Sequence, residues 1–185
     1  MLVGQEVKGF LEAGEPWRSA VFSAGCAERM VQIFTGIRGA VPERVDDVDF
    51  VVDLLDRLWD LEHDVPGRFA DSVSALEGFP EMRPREIPHR AAADIYCFYA
   101  VLTLRYAAAS RLGVGVGAAL SCGHAALTAT GQLDQNRPEG SSLSVQEAEL
   151  QHSVTGLTRD PESVDSFRAK CQEIGKTRFD IVHSR

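Results

Sequence analysis

WRSAVFSAGCAERMVQIFTGI, residues 17–37, repeats apolar side chains at the three- and four-residue steps of an α-helix. Projected at about 100° per residue, one apolar face of this helix carries Trp17, Val21, Ala24 and Val31. The opposite apolar face carries Phe22, Cys26, Met30, Ile33 and Ile37, and a narrow polar stripe carries Arg18, Arg29 and Gln32. The stretch therefore predicts a long α-helix, and the same period dominates the rest of the chain.

Six further helices follow from the same period and from capping signals. We expect Asp46 to cap a helix that reaches Trp59. We also expect a short helix over residues 69–76 and longer helices over residues 89–112 and 117–133. The segment 89–112 is apolar nearly all round, which is typical of a central helix. Ser144 and Glu147 read as a capping box, and Asp160 before Pro161 reads as the start of the last helix. The proline-rich stretch 79–87 and the polar stretch 134–142 read as connections.

The composition is that of one globular domain. The chain has 185 residues, of which 44% are hydrophobic and 25% charged, and these values exclude wholesale disorder. No internal repeat and no run of period two occurs. We therefore predict an all-α, single-domain bundle of about seven or eight helices over residues 1–185.

The charge of the chain excludes some partners. Acids outnumber bases 27 to 19, which gives a formal net charge of −8. Nonspecific binding to nucleic acid or to anionic membranes needs basic residues, so we expect neither partner. A basic partner is compatible with this charge.

The cysteines and the termini indicate a cytoplasmic protein. Cys26, Cys97, Cys122 and Cys171 form no CxxC pair, and each lies in an apolar stretch, so we predict four reduced thiols that are not bonded to one another. The first residues do not resemble a signal peptide. Residues 114–129, the longest mildly apolar stretch, are too short and too polar to span a bilayer.

Glu28 lies within the first apolar face, near Trp17 and Val21. A carboxylate at such a position must be paired, hydrogen-bonded or protonated. Its neighbour Arg29 points about 100° away around the helix, so we expect a partner from another helix, Arg90 or Arg105.

The same helix resembles a known family. Residues 17–22, followed by Cys26, Glu28, Arg29 and Met30, are similar to the opening helix of the small bacterial proteins typified by YjaG, which carry an aromatic segment followed by Cys-x-Glu-Arg or Cys-Glu-Arg. The helical layout after it is also similar, over about three quarters of the chain, although the Gly-rich segment 113–133 and the loop 134–142 differ. This resemblance implies an all-α fold and no reaction, because the family is one of unknown function.

Two interpretations of Asp94 stay open. In the first, Asp94 and Arg90 form an ordinary pair on the surface of one helix. In the second, Glu28, Arg90, Asp94, Tyr99 and Arg105 line a polar pocket inside the bundle.

Four histidines follow an acid by three residues, in the pairs Asp60/His63, Glu86/His89, Glu149/His152 and Asp180/His183. Glu-x-x-His is the ligand unit of di-iron helical bundles, and such acid–His pairs are also common surface contacts. Since only Glu149/His152 lies inside a clean helix, we expect surface contacts, with Glu149 and His152 as the alternative metal ligands. No cofactor signature occurs, and we expect no cofactor.

Two classes of function remain open on the sequence. The absence of a catalytic signature favours a non-catalytic helical binding protein, such as an immunity protein that neutralises a toxin or an accessory factor. The alternative is a small enzyme, with or without a metal, that acts on a small molecule in the bundle core. The partner, whether protein or small molecule, and self-association are not specified by the sequence.

Overall fold

A computed structural model describes residues 2–62, 66–83, 92–113, 115–135 and 142–184. These ranges contain eight α-helices and no strand, which confirms the all-α class. The helices are α1 (Gln5–Glu12), α2 (Pro16–Arg38), α3 (Val45–Trp59), α4 (Pro66–Glu77), α5 (Ala92–Ser110), α6 (Gly117–Gln135), α7 (Leu143–Ser153) and α8 (Pro161–His183). Short 3₁₀ turns span Pro42–Arg44, Pro80–Met82 and Val154–Gly156.

The helix α2 is the centre of the bundle. It packs against α3, α5, α6 and α8, and most of its residues between Ser19 and Phe34 are buried. Its two opposite apolar faces agree with this position, since a helix that is apolar on opposite sides is buried between neighbours. The helix α5, expected to be central, lies between α2, α4 and α6. In the part of the chain that the structure describes, no helix is both long and apolar enough to cross a bilayer.

The capping residues seen in the sequence mark the observed start of some helices but not of others. Asp160 caps α8 as predicted: its side chain accepts a hydrogen bond from the Ser163 backbone, and Pro161 is the first helical residue. The prediction for Asp46 is wrong, because the turn Pro42–Arg44 leads directly into α3 at Val45. Asp46 instead lies in the first turn, where a carboxylate favours the helix dipole.

The predicted capping box is also wrong. Ser142, not Ser144, caps α7, and its hydroxyl accepts a hydrogen bond from the Val145 backbone. Ser144 and Glu147 are both buried. Asp134 at the end of α6 accepts hydrogen bonds from the backbone of Leu143 and Ser144, so it holds the two helices together.

The remaining boundaries are close to the prediction. The helix α5 is described over Ala92–Ser110 and ends two residues before the predicted end at 112, and α6 runs over Gly117–Gln135, two residues beyond the predicted end at 133. Gly113, which follows α5, has a φ of 72°, a conformation that glycine adopts without strain. Residues 84–87 and 136–141 of the two predicted connections, and residues 89–91 of the predicted helix 89–112, lie outside the described ranges. The helix α1, which the periodicity did not predict, buries Val7 and Leu11.

Small residues bring α6 close to its neighbours. A Cβ atom at Gly123 would lie 2.8 Å from the Phe22 ring of α2 and 2.8 Å from Val3. The amide of Gln151, on α7, donates a hydrogen bond of 3.0 Å to the Gly123 carbonyl. A larger residue at this position would therefore push α2 or the N-terminal segment away.

Candidate functional site

The centre of the bundle holds a buried cluster of charged side chains. Glu147 of α7 accepts hydrogen bonds from Arg29 Nε at 2.9 Å and Arg29 Nη2 at 2.7 Å, so this pair is bidentate. Arg178 Nη2 of α8 donates to the same carboxylate at 2.8 Å, and Gln151 Nε2 donates at 2.9 Å. None of the four side chains exposes more than 1% of its surface. The cluster thus joins α2, α7 and α8 without contact with solvent.

The carboxylate in this cluster is ionised. Burial alone would raise the pKa of Glu147, but the guanidiniums of Arg29 and Arg178 outweigh this effect and lower it to about 2. Burial would also lower the pKa of Arg29, and the charge of Glu147 raises it well above the ordinary value. Glu147 and Arg29 therefore form a strong, charge-assisted pair.

The charge of Arg178 is less well compensated than that of Arg29. Burial and the charge of Arg29 lower the pKa of Arg178, although Glu147 acts in the opposite direction. Within the described ranges, Nε and Nη1 of Arg178 have no hydrogen-bond partner. The cluster contains two cations and one anion, so the second cation is balanced only in part.

Three of the four cysteines surround this cluster. Arg29 donates hydrogen bonds to the sulfur atoms of Cys171, at 3.0 Å, and Cys26, at 3.4 Å. The thiol of Cys122 donates to the backbone carbonyl of Thr103 at 3.3 Å. All four cysteines are buried and unbonded to one another, as predicted. Burial raises the pKa of Cys122 and Cys171, and it raises that of Cys97 to about 12.

Glu28 is buried, as predicted, with 1% of its surface exposed. Its carboxylate accepts hydrogen bonds from the Trp59 indole at 2.8 Å and from Gln32 at 3.2 Å, and it lies 3.6 Å from Arg168 Nε. Burial raises the pKa of Glu28, against the opposing effects of Trp59 and Arg168. The prediction of Arg105 as the partner is wrong, since the partners from other helices are Trp59 of α3 and Arg168 of α8.

The structure gives the other residues of the predicted polar pocket different partners. Asp94 binds Arg38 at 2.8 Å, and Arg38 also binds the buried Glu81. The hydroxyl of Tyr99 accepts a hydrogen bond from Gln132 at 3.2 Å. The structure pairs Arg105 with Glu77 of α4, because this part of α5 faces α4. Arg90 lies outside the described residues. Glu28, Asp94, Tyr99 and Arg105 are thus not brought together.

His152 and His183 lie on the surface, as expected, but the contacts that the structure gives them are not with Glu149 and Asp180, the acids of their predicted pairs. His152 lies 3.0 Å from Glu6 of α1, and both side chains are more than half exposed. His183 stacks on Phe179 of its own helix. His63, Glu86 and His89 lie outside the described ranges. Across the residues that are described, no group of three His, Cys, Asp or Glu side chains could hold a metal ion.

Two adjoining cavities open at one end of the bundle, where α2 and α8 begin and α3 and α5 end. Their volumes are about 480 and 430 Å³, and both are lined by Leu61 and Arg159. Trp17 lines the larger cavity and Trp59 the smaller one. Because they share two lining residues, we treat the cavities as two lobes of one feature, the tryptophan groove. Of the described residues of the predicted polar pocket, none lines either lobe.

The tryptophan groove has an apolar floor and a mainly acidic rim. Trp59 is 7% exposed and packs edge-on against Phe167. The other apolar lining residues are Pro16, Trp17, Ala20, Leu61, Pro161 and Val164. The charged lining residues are Glu15, Asp60, Glu62, Arg111, Arg159 and Asp165. Arg111 is buried and donates hydrogen bonds to the carbonyls of Leu58 and Asp60, so it caps the end of α3.

Compared with known proteins, the chain matches no family model, no curated protein and no solved structure.

The sequence of α7 and α8 carries a signal for the buried cluster. The buried residues of α8 recur every three or four residues along one face of the helix, and Arg178 lies at one of these buried positions. Glu147 lies at an equivalent buried position on α7, between Leu143 and Leu150. A charged residue at an otherwise apolar position of a helix predicts a buried ion pair when a second helix offers the opposite charge. Arg29, which the helical projection places in the polar stripe of α2, supplies the second cation that binds Glu147.

Proposed function

We propose that this chain is a non-catalytic binding protein and that the tryptophan groove is its ligand site. The observation that carries the proposal is the open, two-lobed groove itself. Its volume is in the range of ligand sites, which are commonly about 300–1,000 Å³. Its lining combines aromatic side chains with a few charged ones, which is the usual composition of such sites.

The state of the buried polar groups also supports binding rather than catalysis. A catalytic carboxylate must reach its substrate directly or through one water molecule. Both oxygens of Glu147 accept hydrogen bonds from arginine, and the side chain has no exposed surface. Glu28 is likewise engaged by Trp59 and Gln32. These groups stabilise helix contacts and hold the groove in place, since Glu28 orients Trp59.

The two tryptophans give a direct test of the proposal. The chain has only two tryptophan residues, and one lines each lobe, so protein labelled with 5-fluorotryptophan reports both lobes by ¹⁹F NMR. The ligand panel contains small apolar compounds together with basic, neutral and acidic peptides. We expect at least one ligand to shift the Trp17 or Trp59 resonance in a saturable manner.

A pair of variants separates groove binding from nonspecific binding. Leu61→Asn changes a residue that lines both lobes, and Val145→Asn changes an exposed apolar residue on α7. We expect Leu61→Asn to weaken the saturable shift at least tenfold and Val145→Asn to leave it unchanged. If no ligand of the panel shifts either resonance, the groove is not a ligand site.

We further propose a cytoplasmic location and a role as an immunity or accessory factor. Four unbonded thiols support the location, because oxidising compartments favour disulfides. Membership of the YjaG-like family is also a proposal, and the resemblance in α2 supports it. The residues of that resemblance, Cys26, Glu28 and Arg29, are all buried and contact α3, α7 or α8.

A further inference from the structure

We propose that the tryptophan groove binds a basic segment of another protein, which places apolar side chains in the two lobes and lysine or arginine along the acidic side of α3. This inference rests on the binding function proposed above and adds the chemistry of the partner. Three features carry it: the apolar floor, the charge of the rim, and the acidic face that continues from the rim.

The apolar floor selects a ligand with large apolar side chains. Trp17 and Trp59 line separate lobes, and Leu61 lies between them. Each lobe exceeds about 400 Å³, so each accepts a large side chain with the backbone beside it. Aromatic side chains buried at the centre of a contact supply much of the binding energy in protein interfaces.

The rim selects positive charge. Four carboxylates line the groove, those of Glu15, Asp60, Glu62 and Asp165, against two guanidiniums. One of these guanidiniums, that of Arg111, is buried and engaged with backbone carbonyls. An acidic ligand would therefore meet repulsion from the rim, whereas a basic one would be attracted.

The acidic face of α3 extends the rim beyond the groove. Residues 43–62 contain eight of the 27 acids of the chain and only two of its 19 bases. The carboxylates exposed along this segment are those of Glu43, Asp46, Asp49, Asp53, Asp56, Asp60 and Glu62. Asp56 pairs with Arg168 and Asp53 with Arg57, so the face is only partly neutralised.

The length of this face favours a polypeptide over a small molecule. The helix α3 has 15 residues, which corresponds to about 22 Å at about 1.5 Å per residue. Trp59 is its last residue, and Asp60, Leu61 and Glu62 continue directly into the groove. Exposed Val45 and Val52 give the face two apolar contacts between its acids. A second copy of this chain is disfavoured, because its net charge of −8 would repel the acidic face.

The experiment compares three synthetic peptides of about 15 residues, the length of α3. All three share the same tryptophan and leucine positions. The first carries lysine at its polar positions, the second glutamine and the third glutamate. Binding is measured by the ¹⁹F resonances of Trp17 and Trp59 and by titration calorimetry. We expect the lysine peptide to bind at least tenfold more tightly than the glutamine peptide and the glutamate peptide not to bind.

A matched pair of double variants tests the rim. Asp60→Asn with Glu62→Gln removes two rim carboxylates, and Glu173→Gln with Asp180→Asn removes two exposed carboxylates from α8. Both variants change the net charge equally. We expect the rim variant to weaken lysine-peptide binding at least fivefold and to reduce its salt dependence, and the α8 variant to change the affinity less than twofold.

Three outcomes overturn the inference in different ways. Equal binding of the lysine and glutamine peptides, or equal effects of the two double variants, shows that the rim does not select charge. Calorimetric binding without a shift of either tryptophan resonance places the peptide elsewhere. If small apolar compounds shift the resonances and no peptide does, the partner chemistry is wrong while the groove stays a ligand site. If nothing shifts them, the proposed function fails as well.

Discussion

Arg29 and Arg178 bind the same carboxylate, but they differ in how completely they are satisfied. Arg29 forms two hydrogen bonds with Glu147 and one with each of two cysteine sulfurs. Arg178 contributes one nitrogen to Glu147, and two of its nitrogens lack hydrogen bonds within the described ranges. Burying a guanidinium is costly, and only a fully paired one repays that cost. The two residues should therefore differ in their contribution to stability.

We predict that Arg29→Met destabilises the protein far more than Arg178→Met. Removing Arg29 breaks the bidentate pair, and loss of one partner of a buried ion pair costs about 3–5 kcal/mol. Removing Arg178 leaves the bidentate Arg29–Glu147 pair intact, so we expect its cost to be at least about 2 kcal/mol smaller. Urea denaturation of the two variants measures the difference. Equal costs would show that Arg178 is as well compensated as Arg29.

Glu147 and Glu28 should give opposite pH dependences. The folded-state pKa of Glu147 is lowered to about 2, so its contribution to stability is present above the ordinary value of 4.5 and is lost as the pH falls toward about 2. The folded-state pKa of Glu28 is raised, so its contribution is greatest below pH 4.5 and is reduced as the pH rises through the raised value.

Glutamine variants separate these two effects because glutamine does not titrate. Relative to the unmodified protein, Glu147→Gln should become less stable as the pH rises from about 3 to about 6, and Glu28→Gln should become relatively more stable over the same range. The free energy of unfolding is measured for each variant at several pH values. Slopes of the same sign for the two variants would contradict the opposite placement of their pKa values.

At this scale the sequence predicted the burial of Glu28 but not its partners. A carboxylate on an apolar face must be buried, and that conclusion needs only the helical period. Its partners depend on which helices lie beside that face, and this packing is not encoded in the period of one helix. The same limit explains why Arg105 was expected near Glu28 although it pairs with Glu77.

At the scale of helices, periodicity located most elements and local signals fixed few of their ends. Asp160 and Pro161 predicted the start of α8 because both signals act locally. The Asp160 side chain caps the helix, and Pro161 suits its first position. Ser144 and Glu147 matched a capping motif, yet tertiary packing takes both residues into the core. The short helix α1 was missed because it buries only Val7 and Leu11, which is too few to define a period.

Two glycines of α6 test how closely this helix packs. Alanine favours a helix over glycine by about 1 kcal/mol, and this gain applies equally to Gly123 and Gly131. A Cβ at Gly131 meets nothing within 4 Å, whereas one at Gly123 would lie 2.8 Å from the Phe22 ring. We expect Gly131→Ala to stabilise the protein by up to about 1 kcal/mol and Gly123→Ala to destabilise it, as measured by urea denaturation. Equal stabilisation by both would mean that α6 can move away from α2.

At the scale of the whole molecule, α2 makes the bundle one unit. It contacts α3, α5, α6 and α8, and the Arg29–Glu147 pair links it to α7 as well. Separating any of these helices from α2 would expose apolar surface or an ionised buried pair. Such a bundle should open globally rather than helix by helix.

The cysteines report this cooperativity, since α2, α5, α6 and α8 each carry one: Cys26, Cys97, Cys122 and Cys171. We predict that a thiol reagent in large excess labels all four together, at the rate of global opening, because each thiol is buried in the native state. Mass spectrometry over time should show unlabelled and fourfold-labelled protein with little between them, and four labels in urea. The destabilised Gly123→Ala variant should accelerate all four sites equally. Early labelling of Cys97 alone would show that α5 opens independently of the bundle.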